Sequence, residues 1–199
     1  MAELHTKAPY HHGNLRAQLI ESVRELVESH GPDGFSVSQA SRKAGVSSAA
    51  PYKHFRDKPH ILHYVALEGM RRLGDKMRAA RDDPAARHPS GIDTIGQAYI
   101  NFARAEPGVF RLMFGLTNDH DELELKQAGE QTYGVLVDKV AEFLGRDFND
   151  FVTQKRSYML WTFVHGHAFL EIDKKTGTLK EHINERDYLL EITQKFLSD

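Results

Sequence analysis

Apolar residues recur every three to four positions along nearly the whole chain, and strict alternation is almost absent, so the pattern predicts an all-α protein. Leu15, Leu19, Val23, Leu26 and Val27 form one stripe behind Asn14, a residue type that caps helices, and Gly31-Pro32 ends it. Ser36 is placed to cap a second helix over Val37 to Ala44, after which Gly45 supplies the positive φ of a tight turn. Ser47 or Ser48 caps a third helix running to Phe55. Pro51 argues for the later start at Ser48, because the first turn has no backbone hydrogen bond to lose. Asp57 then precedes Lys58-Pro59 as a cap before a first turn, and Ile61, Leu62, Val65, Met70, Leu73 and Met77 carry a longer fourth helix to about Arg81.

The run DDPAARHPSG over 82–91 reads as a loop. Beyond it, Ile92, Ile95, Tyr99 and Phe102 predict an amphipathic helix ending at Glu106-Pro107, followed by a short apolar one from Val109 to Phe114. Two long helices follow, over 121–144 and 150–172, and after the loop DKKTGTLK a last one carries Ile183, Leu190, Ile192, Phe196 and Leu197. A long fourth helix entering a loop suits a small head joined to a larger body. The expected domains are 1–58, a helix-turn-helix head, and 59–199, a helical body.

Composition narrows the class. The 199 residues with 40% hydrophobic content suffice for a real core. The absence of cysteine excludes disulfides, thiolate catalysis and sulfur-rich zinc sites. The first residues lack the apolar segment of a secretory signal, and no stretch approaches a membrane span, so the expected setting is cytoplasmic, with no membrane partner. A net charge of −2 is unusual for a DNA binder, but its distribution is polar: residues 1–58 hold 8 Lys/Arg against 6 Asp/Glu, and the remainder holds 18 against 22.

The stretch Phe35 to Lys58, FSVSQASRKAGVSSAAPYKHFRDK, has the parts of a DNA reader: a short helix, a glycine turn and a basic, aromatic second segment. Ser47, Ser48, Ala49 and Ala50 are small enough for close approach to base edges, Tyr52 and His54 can donate to phosphates, and Lys53 and Lys58 bring charge. These words, over about residues 12–65, resemble the DNA-binding domain of TetR-family transcriptional regulators. Tyr10 to Arg16, Ala49-Ala50-Pro51-Tyr52, Trp161, Val164-His165-Gly166 and Leu170-Glu171 resemble the subgroup with a WHG-type C-terminal domain.

The resemblance implies a TetR-like homodimer of about nine helices per subunit that binds double-stranded DNA at a palindromic operator. It further implies a repressor released by a largely apolar small-molecule effector. By position it puts Ser36 and Ser38 where the second helix meets the phosphate backbone, and Ser48, Ala49, Tyr52, Lys53 and His54 on the groove-facing helix, with Ser47 beside them. Lys58 falls where the fourth helix begins, at a phosphate. Ala40 and Ser41 stand where the broad family favours a large aliphatic residue and Ala.

Simpler readings limit these assignments. Phe55 is expected in the core of so small a head rather than on DNA. His11 and His12 are expected beside the DNA backbone. The pairs His60/His63 and His165/His167 lack an evident acidic third ligand in sequence, so neither a metal nor another cofactor is expected. Gly166 inside a helical stripe suggests close approach of another backbone. Phe102, Phe110, Met113, Phe114, Tyr133, Trp161 and His165 are candidates for an effector pocket, yet the same spacing makes an ordinary core. No nucleophile elbow, phosphate-cradling loop or paired-carboxylate motif supports an enzyme. An activator, or a DNA-binding regulator without a ligand, is the alternative function.

Overall fold

Side-chain caps set where several helices begin. Ser36 Oγ accepts from the Gln39 amide while Gln39 returns a hydrogen bond to the Ser36 amide, a complete capping box for α2, Val37–Lys43. Asp57 accepts from the His60 amide at 2.8 Å ahead of α3, Lys58–Arg81. Asp150 and Asn184 do the same for α7, Phe151–Ile172, and α8, Glu185–Leu197. The remaining helices are α1, Leu15–His30; α4, Ile92–Ala105; α5, Pro107–Gly115; and α6, Glu122–Leu144. This computed structural model describes residues 15–84, 91–116, 122–177 and 183–198, and no strand occurs among them. Asn14, the expected cap of the first helix, lies outside the described residues, as do His11 and His12.

The expected third α-helix is replaced by a 3-10 turn, Pro51–Lys53. The cause is local. Pro51 has no N–H to give to the Ser47 carbonyl, so that oxygen accepts instead from Ala50 at 3.0 Å, and no side chain caps the turn. The Pro51 carbonyl then takes both the His54 and Phe55 amides, each at 2.9 Å, and the chain turns out of the element. With that turn counted, the described residues hold eight α-helices and one 3-10 element.

Two compact units divide the chain within α3, at 1–65 and 66–199, rather than at 58/59. The early turns of α3 belong to the head because Ile61 and Val65 are buried there, and Tyr64 lies 5.9 Å from the Phe55 ring and under the Arg16 guanidinium at 3.9 Å. Leu19, Val23, Val27, Phe35 and Ala40 complete that core. Gly45 holds φ at +69° with open space around it, the geometry that lets the chain leave α2 without a steric penalty.

In the body, α4 packs against α5, α6, α7 and α8, and supplies the buried Ile95, Ile100, Phe102 and Ala103. Gly69 on α3 permits a close approach to α5, since a Cβ there would fall 2.5 Å from Val109. Gly166 does not have that role within the chain: it faces outward with nothing within 4 Å. No helix among the described residues is long and apolar enough to cross a membrane.

Phe55 is 2% exposed and touches Tyr64 and His60 edge-on or tilted at 5.9 Å, so the core assignment holds. Phe55→Ala is expected to lower stability by about 3–5 kcal/mol in urea unfolding followed by circular dichroism. A loss below about 1 kcal/mol would remove Phe55 from its place as the anchor of the head.

Candidate nucleic-acid interface and body cavity

The head presents its candidate contacts on one exposed stretch. Ser47, Ser48 and Ala49 sit in the turn after Gly45, and Tyr52, Lys53 and His54 on or beside the 3-10 element, all of them exposed; Tyr52 stands 61% exposed. Between them Pro51 is buried, and Phe55 closes the stretch from inside. Ser36 and Ser38 are also exposed, although the Ser36 hydroxyl oxygen is engaged as the α2 cap. Lys58 differs from the rest. Its ammonium donates to the Phe35 carbonyl at 2.8 Å and the Asp33 carbonyl at 3.4 Å, and lies 4.3 Å from the Phe35 ring centre. It thereby fastens the start of α3 to the loop ahead of α2, a structural task that its position in the sequence did not announce.

The histidine pairs are occupied with other partners. His60 Nδ1 accepts from the Arg56 amide at 3.0 Å, and His63 is buried edge-on to Tyr64 at 5.3 Å. His165 and His167 diverge, as their spacing requires.

An apolar cavity of about 330 Å³ opens in the body among α3, α4, α5, α6 and α7. Of the expected pocket residues, Phe114, Tyr133 and Trp161 line it, and Tyr99, Glu130 and Tyr158 join them. Phe102, Phe110 and Met113 do not; they are buried in the core, Phe110 edge-on to Tyr99 at 5.5 Å and tilted against Phe169 at 5.3 Å. His165 stands behind the wall in a ring of aromatics, 4.6 Å from Phe114 and 5.4 Å from Trp161, with Nδ1 at 2.7 Å from the Tyr99 hydroxyl. Burial lowers the His165 pKa and raises that of Tyr99. Both shifts favour the neutral forms, and the Tyr99 hydroxyl and His165 Nδ1 share one hydrogen bond.

A charged knot ties α4, α7 and α8. The Arg104 guanidinium donates to Glu171 at 2.7 and 2.9 Å and to both carboxylate oxygens of Glu185, one of them at 2.9 Å. Gln97 adds a hydrogen bond to Glu185 at 2.6 Å, and His167 Nε2 lies 3.3 Å from it. His167, Glu171 and Glu185 offer ligand atoms within 4.8 Å of one another. A metal reading fits poorly, since the Arg104 cation already sits on both carboxylates. Burial alone would raise the Glu185 pKa; Arg104, Gln97 and His167 override it and hold the carboxyl down at about 2.

The two units define a class: a helix-turn-helix head followed by a helical body with an aromatic-walled cavity. Residues 19–65 match the family described as bacterial regulatory proteins, tetR family, and residues 92–191 match the tetracyclin repressor-like C-terminal domain. The chain belongs to the TetR family of transcriptional regulators, whose members bind DNA and act as dimers. An HTH-type transcriptional regulator of Mycobacterium tuberculosis is 26% identical over 102 residues, covering 51% of this chain and 44% of that protein. The nucleoid occlusion factor SlmA of Idiomarina loihiensis is 25% identical over 116 residues, covering 55% and 57%. The chain thus spans about half the length of the curated relatives it matches.

Among solved structures, a protein with unknown function from Rhodococcus sp. RHA1 is similar with a TM-score of 0.78 at 28% identity, covering 96% of this chain and 97% of that one. The fatty acid degradation regulator FadR from Bacillus halodurans has a TM-score of 0.69 at 17% identity over 95% and 97%, a likeness of fold alone.

The charged knot has a pH signature. A carboxyl held at about 2 when folded, against 4.5 ordinarily, contributes stability that is complete above pH 4.5 and is lost as pH falls toward 2. Glu185→Gln is expected to flatten that acid limb in unfolding titrations. An unchanged limb would show that Arg104 does not hold Glu185 in solution.

Proposed function

We propose that this chain is a homodimeric repressor that reads a palindromic operator with its head and is released by a small molecule held in the body. The observation that carries the reading is the exposed series Ser47, Ser48, Ala49, Tyr52, Lys53 and His54, held from behind by buried Pro51 and Phe55. Small side chains admit the backbone to base edges, while the hydroxyl, imidazole and ammonium groups reach phosphates. Ser36 and Ser38 at the start of α2, and the N-terminus of α3 at Lys58, add phosphate contacts in which backbone amides share the work. Lys58 keeps one N–H beyond its two carbonyl partners.

The dimer is supported by the outward face of α7. Phe151, Tyr158, Met159 and Leu170 are exposed there, Phe151 at 77%, and outward Gly166 leaves room for a second backbone. Release by an effector is supported by the cavity, whose size and aromatic walls suit a small organic molecule.

Lys53 gives a cleaner test of the DNA contact than Lys58, whose loss would also loosen the Phe35 loop. Lys53→Ala is expected to weaken binding to the operator and to random DNA by similar factors, and to reduce the log–log salt slope by about 0.9. The operator itself is found by footprinting the DNA beside the protein's own gene. An unchanged slope would take Lys53 off the phosphates.

For the effector, a broad small-molecule screen is expected to yield a compound that raises the melting temperature and dissociates the operator complex. Neither effect across the screen would favour a regulator without a ligand, and stimulation of transcription on the same operator would favour an activator.

A further inference from the structure

We propose that the body cavity selects a flat, two-ring aromatic cation, accepts the neutral isostere more weakly and rejects the corresponding carboxylic acid. This rests on the effector reading above and adds the ligand's charge and shape.

The walls carry the argument. Trp161 meets Tyr133 at 5.7 Å and 61° and Tyr158 at 6.1 Å and 60°, so three rings turn toward a common space from α6 and α7. Tyr99 and Phe114 add two more aromatic surfaces. Ring faces are electron-rich, and they attract a cation that has left water while giving nothing to an anion. Among the described lining residues the one carboxylate is Glu130, which is exposed, and no lysine, arginine or histidine stands among them.

Charge selectivity follows from that inventory. A ligand cation gains both the ring faces and the Glu130 carboxylate, whereas a carboxylic acid meets repulsion from Glu130 and finds no basic partner. Tyrosine hydroxyls can donate to an anion or accept from a protonated amine, so they do not choose between the two. The Thr132 hydroxyl already donates to the Met70 carbonyl at 3.2 Å.

Size completes the picture. The cavity of about 330 Å³ has room for two fused rings.

Trp161 is the chain's single tryptophan, so its fluorescence reports on the cavity directly. The full-length protein would be titrated with N-methylquinolinium, 1-methylnaphthalene, 1-naphthoate and decanoate, by Trp161 fluorescence and by calorimetry. N-methylquinolinium is expected to bind about tenfold or more tightly than 1-naphthoate. Glu130→Gln is expected to weaken the cation by about threefold to tenfold and leave 1-methylnaphthalene unchanged. Equal or tighter binding of either acid would overturn the charge preference and leave the effector reading standing. Cation affinity indifferent to Glu130→Gln would overturn the role of the carboxylate. Silence of all four probes would overturn the ligand class, and the wider screen for operator release would then decide the effector reading separately.

Discussion

Everything in this fold depends on α3 burying apolar side chains in each unit. Ile61, Leu62 and Val65 are buried in the head, and Ala66, Leu67, Met70, Leu73 and Met77 are buried in the body. Its many Ala, Leu, Met, Arg and Lys residues favour the helix, and the apolar packing within each unit adds to that preference. Gly69 belongs to the same constraint: it lets Val109 of α5 press against the helix backbone where any side chain would collide. The body segment of α3 also supplies Met70, Leu73 and Met77 to the cavity, which makes the helix part of the ligand site as well as of the core.

In the head, a missing hydrogen and a well-placed ammonium do opposite things. Pro51 cannot donate to Ser47, so the segment that would present a regular helix presents a short turn, with serine and alanine before it and Tyr52, Lys53 and His54 after. Lys58 binds two loop carbonyls and the face of Phe35, which holds the entry to α2 against the start of α3. One residue shortens the reading element and the other steadies its support.

The body divides its aromatic residues between two tasks. Phe102 and Phe110 are fully enclosed and serve packing, while Tyr133, Tyr158 and Trp161 border open volume. Tyr99 connects the two sets, meeting Phe110 edge-on, lining the cavity and sharing a hydrogen bond with His165. On the other side of α4, Arg104 neutralises Glu171 and Glu185 together, so α4, α7 and α8 are joined by charge as well as by apolar contact. Such a knot stabilises only while both carboxylates are ionised.

The caps at Ser36 and Asp57 and the break at Gly31-Pro32 were legible in the residues, because each follows from contacts within a few positions along the chain, whereas the 3-10 turn in place of the third α-helix was not expected. The motif through Phe35 to Lys58 was specific enough to point to the family before any geometry. Periodicity could not separate Phe114, Tyr133 and Trp161 from Phe102, Phe110 and Met113, since all six lie on apolar helix faces and only the packing of neighbours decides which face closes and which stays open. For the same reason Glu130, the Arg104 knot and the Tyr99–His165 pair gave no signal in sequence: their partners come from helices far apart along the chain. Local chemistry determined the elements and the reading motif; the meeting of distant side chains, which only tertiary packing can arrange, decided the cavity and its charge.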